Sequence, residues 1–367
     1  MDLSTVKSTI KAVLRGACRA VSPVFAKKAD ITPEQAGKML ANFWPRPMSS
    51  VSCQNTLADI TCDLQIVIPA YNVEDYLEDC MESVLNQKTT YTYHVVLVDD
   101  GAKDNTPAIC DQYAGHPNVT VIHQENRGLS GARNAGMREL FGRYILFLDS
   151  DDLLCEGAVQ GLLDTAYAHD CDLVEGGAYY LIEGKQTVMH RYERDSHVTN
   201  PYVQLHGHAW GKLYRRELLE SLGFPEGYWY EDSVLSLLIF SMAKNIWQSG
   251  QMTTAYRINQ GGIVKSSVGK PRAVETYYIT ELLLEERRKA GLPMDEAFYS
   301  FMLLQIRLNQ YRVKDLEETI QEAVFVLTCD LLEHHFAPEV MTGSEKNLIR
   351  ALKRRDFGMF KMCCKFF

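Results

Sequence analysis

Four short, continuously apolar runs in the first 150 residues constrain this fold more than any other feature. Leu64–Ile68 (LQIVI), His94–Val98 (HVVLV), Val119–Ile122 and Tyr144–Leu148 (YILFL) each read as a buried strand. Helical signals separate them. After the first run, Asp75 can cap a helix whose apolar positions Leu77, Met81, Val84 and Leu85 share one face. After the second, Thr106-Pro107 suits an N-cap and first helical position, and after the third a helix starts near Ser130. Strands without polar alternation, joined by helices, imply an α/β fold with a mostly parallel sheet flanked by helices.

Ligands of such sheets bind at the carboxyl ends of the strands. Here those ends carry Pro69-Ala70-Tyr71, Asp99-Asp100 and Asp149 to Asp152, so three polar clusters converge on one rim. Past Asp172 the alternation loosens. Leu173 to Tyr192 reads as strands around a turn at Glu183-Gly184, and Lys212 to Leu222 and Ser233 to Met242 read as helical. Helices are expected near 272–290, 296–312, 316–334 and 345–355. This gives an N-terminal helical extension (1–62), an α/β domain (63–265) and a helical C-terminal region (266–367).

Composition narrows the function. The net charge of −9 argues against nucleic acid as a partner. Ten cysteines without C-x-x-C spacing read as reduced thiols, and no apolar run approaches the roughly 20 residues of a membrane span. The apolar residues near the N-terminus are broken by Lys11, Arg15 and Arg19, so a secretory core is not expected, and the protein should be cytoplasmic. Both ends are nonetheless basic. Lys7, Lys11, Arg15 and Arg19 form one helical stripe, and the tail mixes Lys353, Arg354 and Arg355 with Phe357, Met359, Phe360, Phe366 and Phe367. Such ends suit the inner face of an anionic plasma membrane, or packing on the protein's own body or on a second copy in a homo-oligomer.

The ordered set I-V-I-P-A-Y-N (66–72), V-D-D-G-A-K-D (98–104), N-R-G-L-S-G-A-R-N-A-G (126–136) and D-S-D-D (149–152) resembles glycosyltransferase family 2, whose members have a GT-A fold. W-G-K-L-Y-R-R-E-L-L (210–219) and Y-E-D-S-V-L (230–235) resemble that family's acceptor-side half. Ala102 stands where the family pattern usually has Ser, and both termini lie outside the resemblance. It implies an inverting enzyme moving a sugar, of hexosyl or N-acetylhexosaminyl type, from a UDP-sugar donor to a saccharide or lipid-linked saccharide in surface polysaccharide synthesis.

Residue chemistry supports these assignments one by one. Breaking a sugar–diphosphate bond concentrates negative charge, which Mn2+ or Mg2+ neutralises using one or two carboxylates. Asp151 is the expected main ligand, Asp149 serves donor ribose or metal, and Asp152 is the substitute. The competing reading is a turn that caps the next helix. Resemblance places Pro69 and Tyr71 beside the nucleobase, Asp100 can accept from a uracil imide N–H, and Asp99 joins it; a tight turn at Gly101 is the alternative for both. Arg133 can meet base or phosphate, and Lys212 can approach the diphosphate. The acceptor hydroxyl needs a base, and resemblance puts it at Glu231-Asp232, with Asp232 as base and Glu231 orienting. Asp232 can equally cap a helix from Ser233. His208, Trp210 and Trp229 fall in the acceptor region, and H-x-H at His206 and His208 is too common to imply metal. A nucleotidyltransferase acting on sugar phosphates would need a Gly-rich phosphate loop after the first strand, which Tyr71-Asn72-Val73 is not. A degenerate nucleotide-sugar-binding subunit is disfavoured because the donor carboxylates and the E-D pair are intact.

Overall fold

The computed structural model describes residues 27–258 and 269–365. They divide into two compact units, one of residues 47–258 and one of residues 27–46 with 269–365.

The larger unit is built on a ten-stranded mixed sheet in the order β3-β2-β1-β4-β9-β6-β10-β5, with β7 on β6 and β8 on β10. β1 (Thr56–Ala70), β2 (Tyr93–Asp99), β3 (Val119–His123) and β4 (Glu139–Phe147) are the four anticipated strands, mutually parallel. β1 begins eight residues before its apolar run. Its first half is largely exposed, so it carries no hydrophobic signal, whereas Leu64 to Ala70 is buried throughout, Gln65 included. Helix Gly128–Gly136 lies against this part of the sheet so closely that a Cβ on Gly136 would fall 2.3 Å from Val67 Cγ1.

The second half departs from the expectation of helix at 212–222. Lys212–Arg215 is strand β9, followed by a short 3-10 turn at Arg216–Leu218. β9 runs antiparallel to both neighbours, pairing Tyr144 to Leu146 of β4 and Leu173 to Glu175 of β6 (Leu173–Ile182). Lys212, Leu213 and Tyr214 are all fully buried, and a central strand buried on both faces has no alternation to show. Segment 233–242 forms a π-helical turn at Leu235–Ile239 running into Phe240–Met242. β6 turns through Glu183 (φ 49°) and Gly184 (φ 77°) into β7 (Lys185–His190), a two-residue hairpin with both turn residues left-handed. Strand β10 (Ile246–Arg257), unforeseen in the sequence, pairs parallel with β6 and antiparallel with the two-residue strands β5 (Leu153–Leu154) and β8 (Ser196–His197).

The smaller unit is helical. Pro33–Phe43 opens with a capping box between Thr32 and Gln35, and is followed by Glu275–Lys289, Glu296–Val313, Glu318–His335, Lys346–Lys353 and Phe357–Lys365. Phe357, Met359 and Phe360 are buried in its core, where Phe357 and Phe360 pack on Phe325. Of the two alternatives for the tail, these three residues follow packing on the protein's own body rather than contact with lipid. Lys346, Arg350, Lys353 and Arg354 remain exposed around a cavity of about 360 Å³, and none makes an ion pair among the described residues. The stripe at Lys7, Lys11, Arg15 and Arg19, with Phe366 and Phe367, lies outside the described residues. Among the described residues no helix is long and apolar enough to cross a membrane.

Candidate active site

Because β1 lies between β2 and β4, the three polar strand ends stand side by side. Ala70 is in register with Asp99, the Asp100 N–H donates to the Ala70 carbonyl at 2.9 Å, and the Leu148 N–H donates to the Val67 carbonyl at 3.1 Å. Tyr71 projects from the end of β1, 45% exposed, beside Asn72 at φ 52°.

At the end of β2 the two aspartates have different duties. Asp99 is spent on the turn: Oδ1 accepts the Ala102 N–H at 3.0 Å and Oδ2 pairs with His123 Nδ1 at 2.8 Å. The hydrogen bond to Asp99 holds the His123 ring above the usual imidazole range. Asp100 Oδ1 accepts from Gln124 Nε2 at 2.7 Å and the Arg127 N–H at 2.9 Å, leaving Oδ2 without a hydrogen bond among the described residues. Gly101 makes this possible. Its φ is 68°, and a Cβ there would meet the Asn126 amide nitrogen at 2.9 Å.

The end of β4 is held by a residue the sequence reading missed. Arg257, the last residue of β10, donates its backbone N–H to Asp152 Oδ1 at 2.7 Å and Nε–H to the Asp151 carbonyl at 2.8 Å. Asp152 is fully buried and its Oδ2 has no partner among the described residues. Burial first, then the charges of Asp149 and Asp151, push its carboxyl well above the usual range. Such an under-compensated acidic corner fits a divalent cation. The aspartates are not among the groups that bring three ligand atoms within 4.8 Å of one another, so an ion here would take one or two carboxylates and complete its shell with water or phosphate.

Arg133 joins this corner to the E-D pair. Its guanidinium, 1% exposed, donates Nη2–H to Asp149 Oδ1 at 2.8 Å and Nη1–H to Asp232 Oδ1 at 3.0 Å and Glu231 Oε1 at 3.1 Å. Phe224 covers one face, with its ring centroid 5.0 Å from Cζ. Expected against base or phosphate, Arg133 is instead a buried residue of its helix and is ion-paired with three carboxylates. Three carboxylates around one guanidinium leave excess negative charge. Burial, followed by the charge of Asp232, pushes the Glu231 carboxyl up to about 7, with Arg133 opposing; burial also raises Asp232. Asp232 does not cap a helix. The Ser233 and Val234 N–H groups bond to the Tyr230 and Glu231 carbonyls, while the Asp232 side chain, a third exposed, turns to Arg133. A carboxylate whose proton affinity is raised by burial and which reaches solvent can accept a proton from a hydroxyl.

Lys212 requires correction. Expected near the diphosphate, it is fully buried and pairs with buried Glu175 Oε1 at 2.7 Å, also donating to the His208 carbonyl at 2.8 Å. Burial alone would raise the Glu175 carboxyl, but the Lys212 ammonium and His206 hold it below the usual range. His208 is half-buried, with Nε2 turned inward and its ring stacked on Trp210 at 3.5 Å, and Trp210 stacks on Tyr256 at 5.4 Å. Trp229, half-buried, packs edge-on against Tyr230. Glu175, His190 and Arg257 lack a motif of their own, and only the fold brings them to the site.

Comparison with known proteins agrees with this geometry. Residues 65–223 match the family model of glycosyl transferase family 2. Over 217 residues the chain is 35% identical to the uncharacterized glycosyltransferase EpsJ of Bacillus subtilis, covering 55% of this chain and 63% of EpsJ. Over 168 residues it is 35% identical to the minor teichoic acid biosynthesis protein GgaA of the same organism, covering 42% of this chain and 38% of GgaA. The chain thus spans less than two thirds of the length of these curated relatives. Its fold is similar to that of S. aureus TarS 1-349 in complex with UDP-GlcNAc, with a TM-score of 0.69 at 19% identity over 83% of this chain and 90% of that one. Residues 65–223 are thus a glycosyl transferase family 2 domain by sequence match, in a chain whose fold has the GT-A architecture of TarS.

Proposed function

We propose that the chain transfers a sugar from a UDP-sugar to a hydroxyl of a saccharide or lipid-linked saccharide, with inversion, in the synthesis of a surface polysaccharide. The observation that carries this reading is Arg133, which ties Asp149 at the donor rim to Glu231 and Asp232 within one hydrogen-bonded group. Donor and acceptor chemistry would therefore meet across a single guanidinium. TarS in its complex with UDP-GlcNAc and the name of GgaA support the donor class and the polymer class respectively.

In this reading Tyr71 and Pro69 flank the nucleobase and the open Oδ2 of Asp100 accepts from a uracil N–H. Asp151 and Asp149, with Asp152 behind them, would hold Mn2+ or Mg2+, which when bound offsets charge on the diphosphate. Asp232 takes the proton of the acceptor hydroxyl as its oxygen bonds to the anomeric carbon. The bond from that carbon to the diphosphate oxygen breaks, and UDP departs with the electron pair. Glu231 orients the acceptor, and Arg133 keeps both carboxylates in place. The exposed cations at Lys346, Arg350, Lys353 and Arg354 suit an enzyme working against an anionic membrane at its inner face.

A UDP-sugar panel with Mn2+ tests the reading by product. UDP should be released, and pyrophosphate should not. Asp232→Asn should lower transfer by about 10²–10⁴-fold at nearly unchanged nucleotide and metal affinity, whereas Asp151→Ala should weaken metal-dependent UDP binding as well. Near-normal transfer by Asp232→Asn would remove it as the base, and pyrophosphate release would overturn the proposed reaction.

A further inference from the structure

Beside the acidic group, the fold collects four metal-ligating side chains that the sugar chemistry does not use. Glu175 lies on β6, His190 ends β7, and His206 and His208 lie on the stretch leading into β9. Each offers a ligand atom within 4.8 Å of the others. We propose that Glu175, His190, His206 and His208 bind a first-row transition ion of the zinc class, at a site separate from the aspartates at the donor rim.

Three imidazoles and one carboxylate are a ligand set that zinc favours and that magnesium does not. The strongest observation is a pair of orphaned nitrogens. His190 Nδ1 and His208 Nε2 are buried and have no hydrogen-bond partner among the described residues. Buried polar atoms are nearly always satisfied, and an ion is one of the few things that explains an exception. The opposite nitrogens are engaged. His190 Nε2 lies 3.2 Å from the Gly176 carbonyl and His208 Nδ1 lies 3.0 Å from the Trp210 carbonyl; in the tautomer that donates there, the Lys212 ammonium 3.2 Å away gives its protons to Glu175 and the His208 carbonyl rather than to the ring. A ring that donates from one nitrogen to a carbonyl presents a lone pair on the other, the usual outer-shell arrangement of metal-bound histidine. Glu175 gives Oε1 to Lys212 and to the His206 N–H at 3.1 Å. Its Oε2 accepts from Tyr192 at 2.6 Å and faces His206 Nδ1 at 3.4 Å, with a second lone pair for an ion.

Binding requires a small closure. Around a tetrahedral ion with bonds of about 2.0–2.1 Å, neighbouring ligand atoms lie about 3.3 Å apart. The His190 and His206 rings, now stacked at 3.9 Å, must turn to achieve this. His208 stacks on Trp210, so that motion reaches an indole. A bound ion would fasten the β6–β7 hairpin to the segment that carries Trp210 and Lys212. Lys212 on the far oxygen of Glu175 opposes the ion, an effect that the three imidazoles must outweigh.

The test uses the full chain, stripped with chelator and titrated with Zn2+, and with Co2+ as an absorbing probe. One zinc per chain should survive dialysis against millimolar Mg2+, Co2+ should give visible bands of a tetrahedral site, and tryptophan emission should change in step. Asp151→Ala should bind zinc as the parent does. His190→Gln and His206→Gln, chosen because they leave the Glu175–Lys212 pair intact, should each lose at least about tenfold in affinity while keeping the parent's circular dichroism. Zinc bound equally by both histidine variants, or lost on dialysis of the parent, overturns the proposal.

Discussion

Replacing Arg133 with methionine should destabilise the larger unit through charge rather than packing. Methionine fills much of the same space against Phe224 but removes the donors to Asp149, Glu231 and Asp232. Breaking one buried ion pair from one side typically costs about 3–5 kcal/mol. Here three carboxylates lose one shared partner, but Asp232 and Asp149 are partly exposed, so about 3–5 kcal/mol is expected for the whole group at pH 8. The pH dependence separates this from a packing defect. Burial already raises Glu231 and Asp232 above their unfolded values, and Arg133 opposes that rise. Without it their folded pKa values climb further. Carboxyls raised in the folded state take up protons on folding, so the deficit is full above the new folded pKa and fades as pH falls toward the unfolded value. Guanidinium chloride melts of Arg133→Met and parent between pH 5 and pH 8 should therefore converge toward the acid end. Arg133→Lys, which keeps the charge but not the fork, should recover only part of the loss. A cost below about 1 kcal/mol, or one equal at pH 5 and pH 8, would refute the reasoning.

Two further outcomes follow from the same charges. Because the E-D pair takes up a proton near pH 7, kcat/KM should rise with pH through an acid limb in that region, and Glu231→Gln, by removing the adjacent charge, should shift the limb to lower pH; an unmoved limb in stopped-time assays of UDP release would separate Glu231 from the base. Charge reversal at Lys346 and Arg350 should reduce sedimentation with anionic vesicles at about 0.1 M salt and leave the melting temperature unchanged, since neither makes an ion pair among the described residues; unaltered sedimentation would point away from this helix.

How much of this was legible follows from how each element records itself in sequence. β1 to β4 are apolar runs broken by turns, and the acidic strand ends that follow them are short motifs, so rim and carboxylates could be read directly. β9 and β10 could not. β9 is four residues long and begins with a lysine, buried only because Glu175 stands opposite it in register. Charge signals exposure in sequence until its partner is known. Arg133 was singled out as a site cation, but two of its three carboxylate partners lie 98 and 99 positions away, so its bridging among carboxylates appeared only with the fold. The histidine cluster was dismissed on H-x-H spacing, since His190 and Glu175 arrive from a different hairpin.

The antiparallel placement of β9 also bears on how the chain is made. Tyr144 of β4 pairs with Arg215 of β9, a separation of 71 residues. At about 5–20 residues per second of synthesis, β4 leaves the ribosome on the order of 4–14 s before the strand that covers its outer edge exists. During that interval β1 to β4 can already form, and β4 presents an open row of peptide groups flanked by Tyr144, Ile145 and Leu146. The nascent chain is therefore exposed to mispairing at one defined edge, and the arrival of Lys212 to Arg215 is the step that closes it.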